Sequence, residues 1–240
     1  MALTPWIGRR GLLGLLALAG CQQPGAPVTA TGPRVGPNGV GYIAIAGQIT
    51  DAVRDLFLSQ VTQMLGQGAT EIYLLLTSSG GPVAPALSII SAMERLNAGR
   101  GIRFTTHNIG AVAGGACYVF LAGQRRLSVP RGTFVFQGLQ FVPSGAVTSQ
   151  ALQEASAQMR RIEQTYATML TSRTRLTAAE ASSFLRRTVV LSADEARRDG
   201  LIEATAEFTL PPGAILSGIR TAPAGTGTAT PSSPVSPAGG

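Results

Sequence analysis

Residues 71–93 read EIYLLLTSSGGPVAPALSIISAM, and this stretch decides the fold class. Residues 71–76 form a short apolar run, the mark of a strand buried on both faces. Residues 77–81 (TSSGG) follow as a turn of small and flexible residues. Pro82 then opens a helix predicted to run to about Asn97, because proline suits the first helical positions, where its missing N–H costs nothing. A buried strand handing over to a helix through a glycine turn is half of a strand–helix–strand unit. The expectation is a layered α/β domain.

The same alternation continues on both sides. Residues 41–46 (GYIAIA) read as a strand closed by Gly47. Asp51 is expected to cap a helix that carries Val53, Leu56, Phe57, Val61, Met64 and Leu65 on one face and ends at Gly66 and Gly68. Downstream, residues 102–106 are a predicted strand, 111–122 a helix of small residues, and 126–129 and 133–137 two further strands. A long helix then carries Leu152, Ala155, Met159, Ile162, Tyr166 and Met169 at steps of three and four. Thr177-Ala178-Ala179-Glu180 and Ser192-Ala193-Asp194-Glu195 have the form of capping boxes, and Gly200 stops the helix after the second.

The ends of the chain read differently. Arg9-Arg10, the apolar residues 11–17 and the small-residue run Leu18-Ala19-Gly20-Cys21 have the three parts of an export signal. The final four residues look like a bacterial lipobox, with Cys21 as the lipidated residue. Gln22 after the cysteine leans towards outer-membrane sorting, and the arginine pair resembles a twin-arginine signal. The expected organisation is a signal over 1–21, a flexible tether over 22–39, a domain over 40–210 and a disordered Pro/Gly/Ser/Thr-rich tail over 211–240. The protein is therefore expected to be exported, facing the periplasm and held to a membrane through Cys21.

Charge narrows the chemistry. The formal net charge is +7, and all 19 basic residues are arginine. Without lysine there can be no Schiff base, serine–lysine dyad or P-loop lysine. The arginines fall in scattered pairs (Arg125-Arg126, Arg160-Arg161, Arg186-Arg187, Arg197-Arg198) without interleaved aromatics. They read as solvated surface rather than a nucleic-acid footprint. One histidine, two cysteines and scattered carboxylates make no metal set. No cofactor is expected. Glu180 and Glu195 read as cap residues, and Asp194, Asp199 and Glu203 as surface charges.

Five segments, in order, resemble the proteolytic subunit of Clp protease, within the Clp/crotonase superfamily. They are GYIAIAGQITD (41–51), the opening stretch (71–93), NIGAVAGGACYVFLAG (108–123), RRLSVPRGTFVFQ (125–137) and VVLSADEARRDGLIE (189–203). The resemblance implies repeated ββα units, layered sheets with flanking helices, and one long protruding helix beginning near Thr148 through which members form rings. A homo-oligomer is expected on that ground. The family's triad has a serine attack, a histidine carry the proton and an aspartate orient the histidine. Carried over position by position, the serine falls on Gly114, the histidine on Gln137 and the aspartate on Thr188. The phase is set by Leu121-Ala122-Gly123, by Pro130 and by Leu191-Ser192-Ala193. None of the three residues can play its part. The oxyanion-hole glycines fall on Gly81 and Gly115, and the proline usual before the glycine pair is Ser79.

Two other sets of reactive groups come behind these positions. Ser78 and Ser79 stand beside the oxyanion glycines but lack an evident activator. Cys117 and His107 could form a nucleophile–base pair only if the fold turned them towards each other. The leading reading is thus a non-catalytic Clp-fold lipoprotein that binds a peptide or protein partner or acts as a scaffold, with no nucleic acid and no ATPase partner. A serine-type peptidase using Ser78 or Ser79 is the alternative. A crotonase-like acyl-thioester enzyme comes third, disfavoured because coenzyme A is not expected outside the cytoplasm.

Overall fold

A computed structural model describes residues 28–30, 32–139 and 148–221. Cys21 and the signal segment lie outside the described residues, as do residues 222–240 of the tail. In chain order the elements are β1 (Val28–Ala30), β2 (Val40–Gln48), α1 (Asp51–Gly66), β3 (Glu71–Gly80), α2 (Val83–Arg100), β4 (Arg103–Ala113), α3 (Gly115–Leu121) and β5 (Arg125–Ser128). Then come β6 (Thr133–Phe136), α4 (Ser149–Arg173), α5 (Ala178–Arg186), β7 (Val189–Ser192), α6 (Ala193–Arg198), β8 (Ala204–Thr205) and β9 (Leu216–Thr221).

The sheet runs β1-β9-β2-β3-β4-β5-β8, with β6 branching off β4 and β7 pairing with β6. Pairings are parallel throughout the middle; β1–β9 and β6–β7 are antiparallel. The branch explains the layering. The first half of β4 pairs with β5 (Thr105↔Arg125 to Asn108↔Ser128), and its last residues pair with β6 (Ala111↔Thr133 to Ala113↔Val135). Between them the Asn108 side chain takes the Gly110 N–H at 2.9 Å, so the strand changes partner without an orphan amide.

Side-chain alternation sorts the two faces. Ile72, Leu74 and Leu76 of β3 face the helices and join one core with Phe57, Ile89, Met93 and Phe120. Each such fully buried side chain contributes about 2 kcal/mol to folding. Tyr73, one residue out of phase, faces the other way. There the Tyr42, Tyr73, His107 and Phe208 rings stack and tilt against one another at 5.5–6.3 Å. Phe208 belongs to the extended stretch after β8, which crosses this face as a cover.

Caps follow sequence chemistry with one correction. Thr50, not Asp51, caps α1, its hydroxyl accepting from the Val53 N–H, while Asp51 sits in the first turn, where the helix dipole favours it. Both capping boxes form, at Thr177/Glu180 and at Ser192/Glu195. Their glutamates accept from backbone and hydroxyl donors and are held below the usual carboxylate range.

Three further expectations are corrected. Residues 111–113 are strand, not helix, because pairing with β6 overrides the weak helical preference of a small-residue run; the helix starts only at Gly115. The supposed turn at 77–80 is the end of β3, which continues to Gly80. The ends of the domain also lie further out than composition indicates. Residues 216–221 of the expected tail form β9, seated between β1 and β2, and residues 28–30 of the expected tether form β1. Both are short segments whose strand state comes from ladder bonds to β2 and to each other. Neither carries a periodic pattern that could announce it.

Candidate functional site

The cleft lies where β3, β4 and β6 end together. Gly80 (φ 101°) and Gly81 (φ 146°) turn the chain out of β3 in conformations that L side chains rarely adopt. The turn is pinned to the loop after β2: the Ile49 N–H donates to the Gly80 carbonyl at 2.7 Å. A Cβ on Gly81 would stand 2.9 Å from the Ile49 nitrogen and closer still to its carbonyl. Only glycine fits.

Gly114 occupies the elbow between β4 and α3 with φ 50° and ψ −129°. Its N–H is held by the Val135 carbonyl at 2.8 Å, which locks the elbow to β6. A Cβ built on Gly114 would lie 3.1 Å from the Gln137 Oε1. Gln137 follows β6 directly, and the β6–β7 register ends at Phe136↔Val189, so continuing it sets Gln137 opposite Thr188. Gly81, Gly114, Gly115, Gln137 and Thr188, separated by up to 107 positions along the chain, all line one cleft of about 510 Å³. That volume falls within the range of pockets that hold small ligands or short peptides.

Among the described residues that line it, the cleft has amide and hydroxyl groups but no charged side chain and no nucleophile–base pair. Gly115 begins α3, so its N–H is among the first-turn donors that a helix leaves without an internal partner.

The other candidate groups stand elsewhere. Ser78 is buried and exchanges hydrogen bonds with the Gly80 backbone, and Ser79 is exposed; neither lines the cleft. His107 and Cys117 are on opposite sides of the sheet. The Thr106 hydroxyl donates to the Phe120 carbonyl of α3, so its neighbour His107 points to the far face. There the His107 Nε2 lies 3.0 Å from the Ala206 carbonyl and must carry the hydrogen. Nδ1 then accepts from the Tyr73 hydroxyl at 2.8 Å. Burial pushes this imidazole below its ordinary pKa, so it is neutral and fully engaged. Cys117 is wholly buried, its thiol donating to the Val112 carbonyl and pushed far up by desolvation. The dyad does not form.

Two features were missed in the sequence. Tyr118 and Tyr166 line the cleft with stacked rings at 3.6 Å, and their hydroxyls are buried without a hydrogen-bond partner among the described residues. The available signal was a tyrosine inside the apolar run CYVFL, since a buried phenol normally finds a partner. Arg126, read as solvated surface, is instead partly buried and donates to the carbonyls of Gly123, Arg173, Gly200 and Leu201. It borders a larger cleft of about 790 Å³, remote from Gly114, where Arg173 also spends its donors on carbonyls and on Glu94.

Among the described residues no group of three His, Cys, Asp or Glu side chains could hold a metal ion, and no helix is long and apolar enough to cross a membrane. A family model described as Clp protease matches residues 40–208. A search of curated proteins finds no significant match.

Proposed function

The chain belongs to the Clp protease family, and from that premise we propose that it is an exported, lipid-anchored member that binds a peptide or protein in its cleft without cutting it. The observation that carries this reading is residue 114. At the elbow where the family's attacking serine falls, this chain has a glycine at φ 50°, facing the amide of Gln137. Glutamine cannot take up and return a proton near neutral pH, and the opposing Thr188 cannot orient or charge-balance an imidazole. Ser78 and Ser79 lie off the cleft, and the single histidine is committed to Tyr73 and Ala206.

Active-site labelling with a fluorophosphonate probe tests the loss of catalysis. The wild-type protein is expected to remain unlabelled, and the triple variant Gly114→Ser/Gln137→His/Thr188→Asp is expected to gain labelling at residue 114. Labelling of the wild type that disappears in Ser79→Ala would sink the proposal and restore the substitute-nucleophile peptidase.

Export and anchoring rest on residues 1–21, with Cys21 as the lipidated residue. Metabolic labelling with palmitate in a bacterial host is expected to tag the wild type and not Cys21→Ser; equal labelling of both would remove the anchor from the proposal. Self-association through α4 belongs to the same reading, supported by its length of 25 residues, of which only Ala155, Tyr166, Met169 and Leu170 are buried. A periplasmic location leaves no ATP-driven unfoldase as partner, and nothing in the scattered arginine pairs calls for nucleic acid.

A further inference from the structure

Both ends of the described domain meet beside the cleft. Strands β9, β2, β3, β4 and β6 are parallel, so their final residues gather at one end of the sheet. β1 is antiparallel to β9, which sets its first residue, Val28, at that same end, opposite Thr221. The Thr221 hydroxyl accepts from the Gln48 N–H at 2.8 Å, and Gln48 pairs with Gly80 at the lip of the cleft. Val28 is therefore three strand spacings from Gly80, about 15 Å.

Six residues, 22–27, separate Val28 from Cys21. Even fully extended, that connection spans at most about 25 Å. A domain of this length is about 40 Å across. A lipid on Cys21 thus keeps the Val28 corner near the bilayer, and with it the lip of the cleft. Charge at this corner does not oppose such an approach. Residues 28–48 and 208–221 contain no Asp or Glu, and their two arginines, Arg34 and Arg220, are exposed. Asp51 and Asp55, at the start of α1, are both paired with Arg54.

From this geometry we infer that the cleft is held at the membrane surface and takes its ligand there: an uncharged stretch of a membrane-inserted protein, directly outside the bilayer. The inference rests on the lipid-anchored, peptide-binding reading above and specifies where the peptide comes from. Pro82, Val83 and Leu139 line the cleft with Gln137 and Thr188, and none of its described lining residues is charged, which suits a neutral segment. A segment anchored in the same bilayer meets the cleft at a high effective concentration, so modest contacts suffice.

Energy transfer on vesicles tests the geometry with the lipidated full chain. A donor dye is placed on Ser79→Cys, exposed beside the lip, or on Glu203→Cys, exposed just before β8. The Glu203 N–H donates to the Arg126 carbonyl, which sets it level with the first half of β4, and β8 is six strand spacings from β1. Cys117 is wholly buried and Cys21 acylated, so each variant takes one dye. With acceptor lipids in the bilayer, the Ser79 site is expected to transfer at least about twofold more than the Glu203 site. About 30 Gly/Ser residues inserted after Gln22 are expected to close that gap.

Binding is read by crosslinking from Leu139→benzoylphenylalanine to biotinylated mixed-sequence peptides without charged residues, either free or joined to a palmitoyl chain. The palmitoylated set is expected to crosslink at about tenfold lower concentration, and to lose crosslinking in Gly81→Ala. Equal or reversed transfer from the two dye sites would overturn the inference while leaving the anchor and a peptide cleft. Equal crosslinking of both sets, or crosslinking untouched by Gly81→Ala, would do the same. No crosslinking of either set would overturn it together with the peptide-binding reading. Loss of the chain from vesicles, as expected for Cys21→Ser, would overturn it together with the anchor.

Discussion

Arg126→Leu is expected to lower the melting temperature of the domain by roughly 8–16 °C, from a loss of about 4 kcal/mol at about 2–4 °C per kcal/mol for a domain of this size. The guanidinium joins three parts of the fold that are distant in sequence. Its Nε donates to the Leu201 carbonyl at 2.7 Å, one terminal nitrogen to Gly123 at 3.2 Å, and the other to Arg173 and Gly200 at 3.0 and 3.3 Å. These carbonyls belong to the ends of α3, α4 and α6, where helices leave acceptors without internal partners. Leucine replaces the stem and none of the donors, so several carbonyls lose their partner at once. Arg126→Lys keeps the charge, but its single nitrogen cannot span the fork, and it is expected to recover less than half of the loss. Thermal unfolding by circular dichroism checks both. A shift under about 3 °C for the leucine variant would show that water satisfies those carbonyls equally well.

Gly81→Ala is expected to cost about 4 kcal/mol, combining strain at a φ of 146° with backbone collision. The collision is with the Ile49 backbone, which cannot swing aside as a flexible side chain would, because the Ile49 N–H is tied to Gly80. Relief requires β3 and the loop after β2 to separate at the lip of the cleft. Peptide binding is therefore expected to fail at temperatures where the variant is still folded. Gly114→Ala serves as comparison: its added Cβ meets the movable end of Gln137 at 3.1 Å, so the loss of stability there should be smaller. Urea unfolding of the two variants in parallel measures the difference. If Gly81→Ala proved the milder, the turn would not be pinned as described.

Much of the architecture could be read from residue pattern alone. The run at 71–76, the helical face of α1 and the two capping boxes are local signals, since each depends on side chains within one or two turns of chain. Gly81, Gly114, Gly115, Gln137 and Thr188 were singled out by the resemblance, position by position; the fold gathers them along one cleft because each sits at or beside a strand end. Residues 111–113 were misread because a small apolar run suits strand and helix about equally, and pairing with β6 settles it. The terminal strands were missed because Val28–Ala30 and Leu216–Thr221 become strands only by meeting each other and β2.

Taken by itself, the amino-acid order determined the layered α/β class, the two capping boxes and the absence of a reactive side chain at position 114. Those properties are set by residue identity and by neighbours along the chain. Tertiary structure alone decided that His107 and Cys117 face opposite sides of the sheet, that the partly buried Arg126 ties three helix ends together, and that Tyr118 and Tyr166 stack beside the cleft with their hydroxyls buried and unpartnered among the described residues. Which face a side chain takes depends on pairing partners far away in sequence. Whether its polar atoms are satisfied depends on what those partners bring alongside.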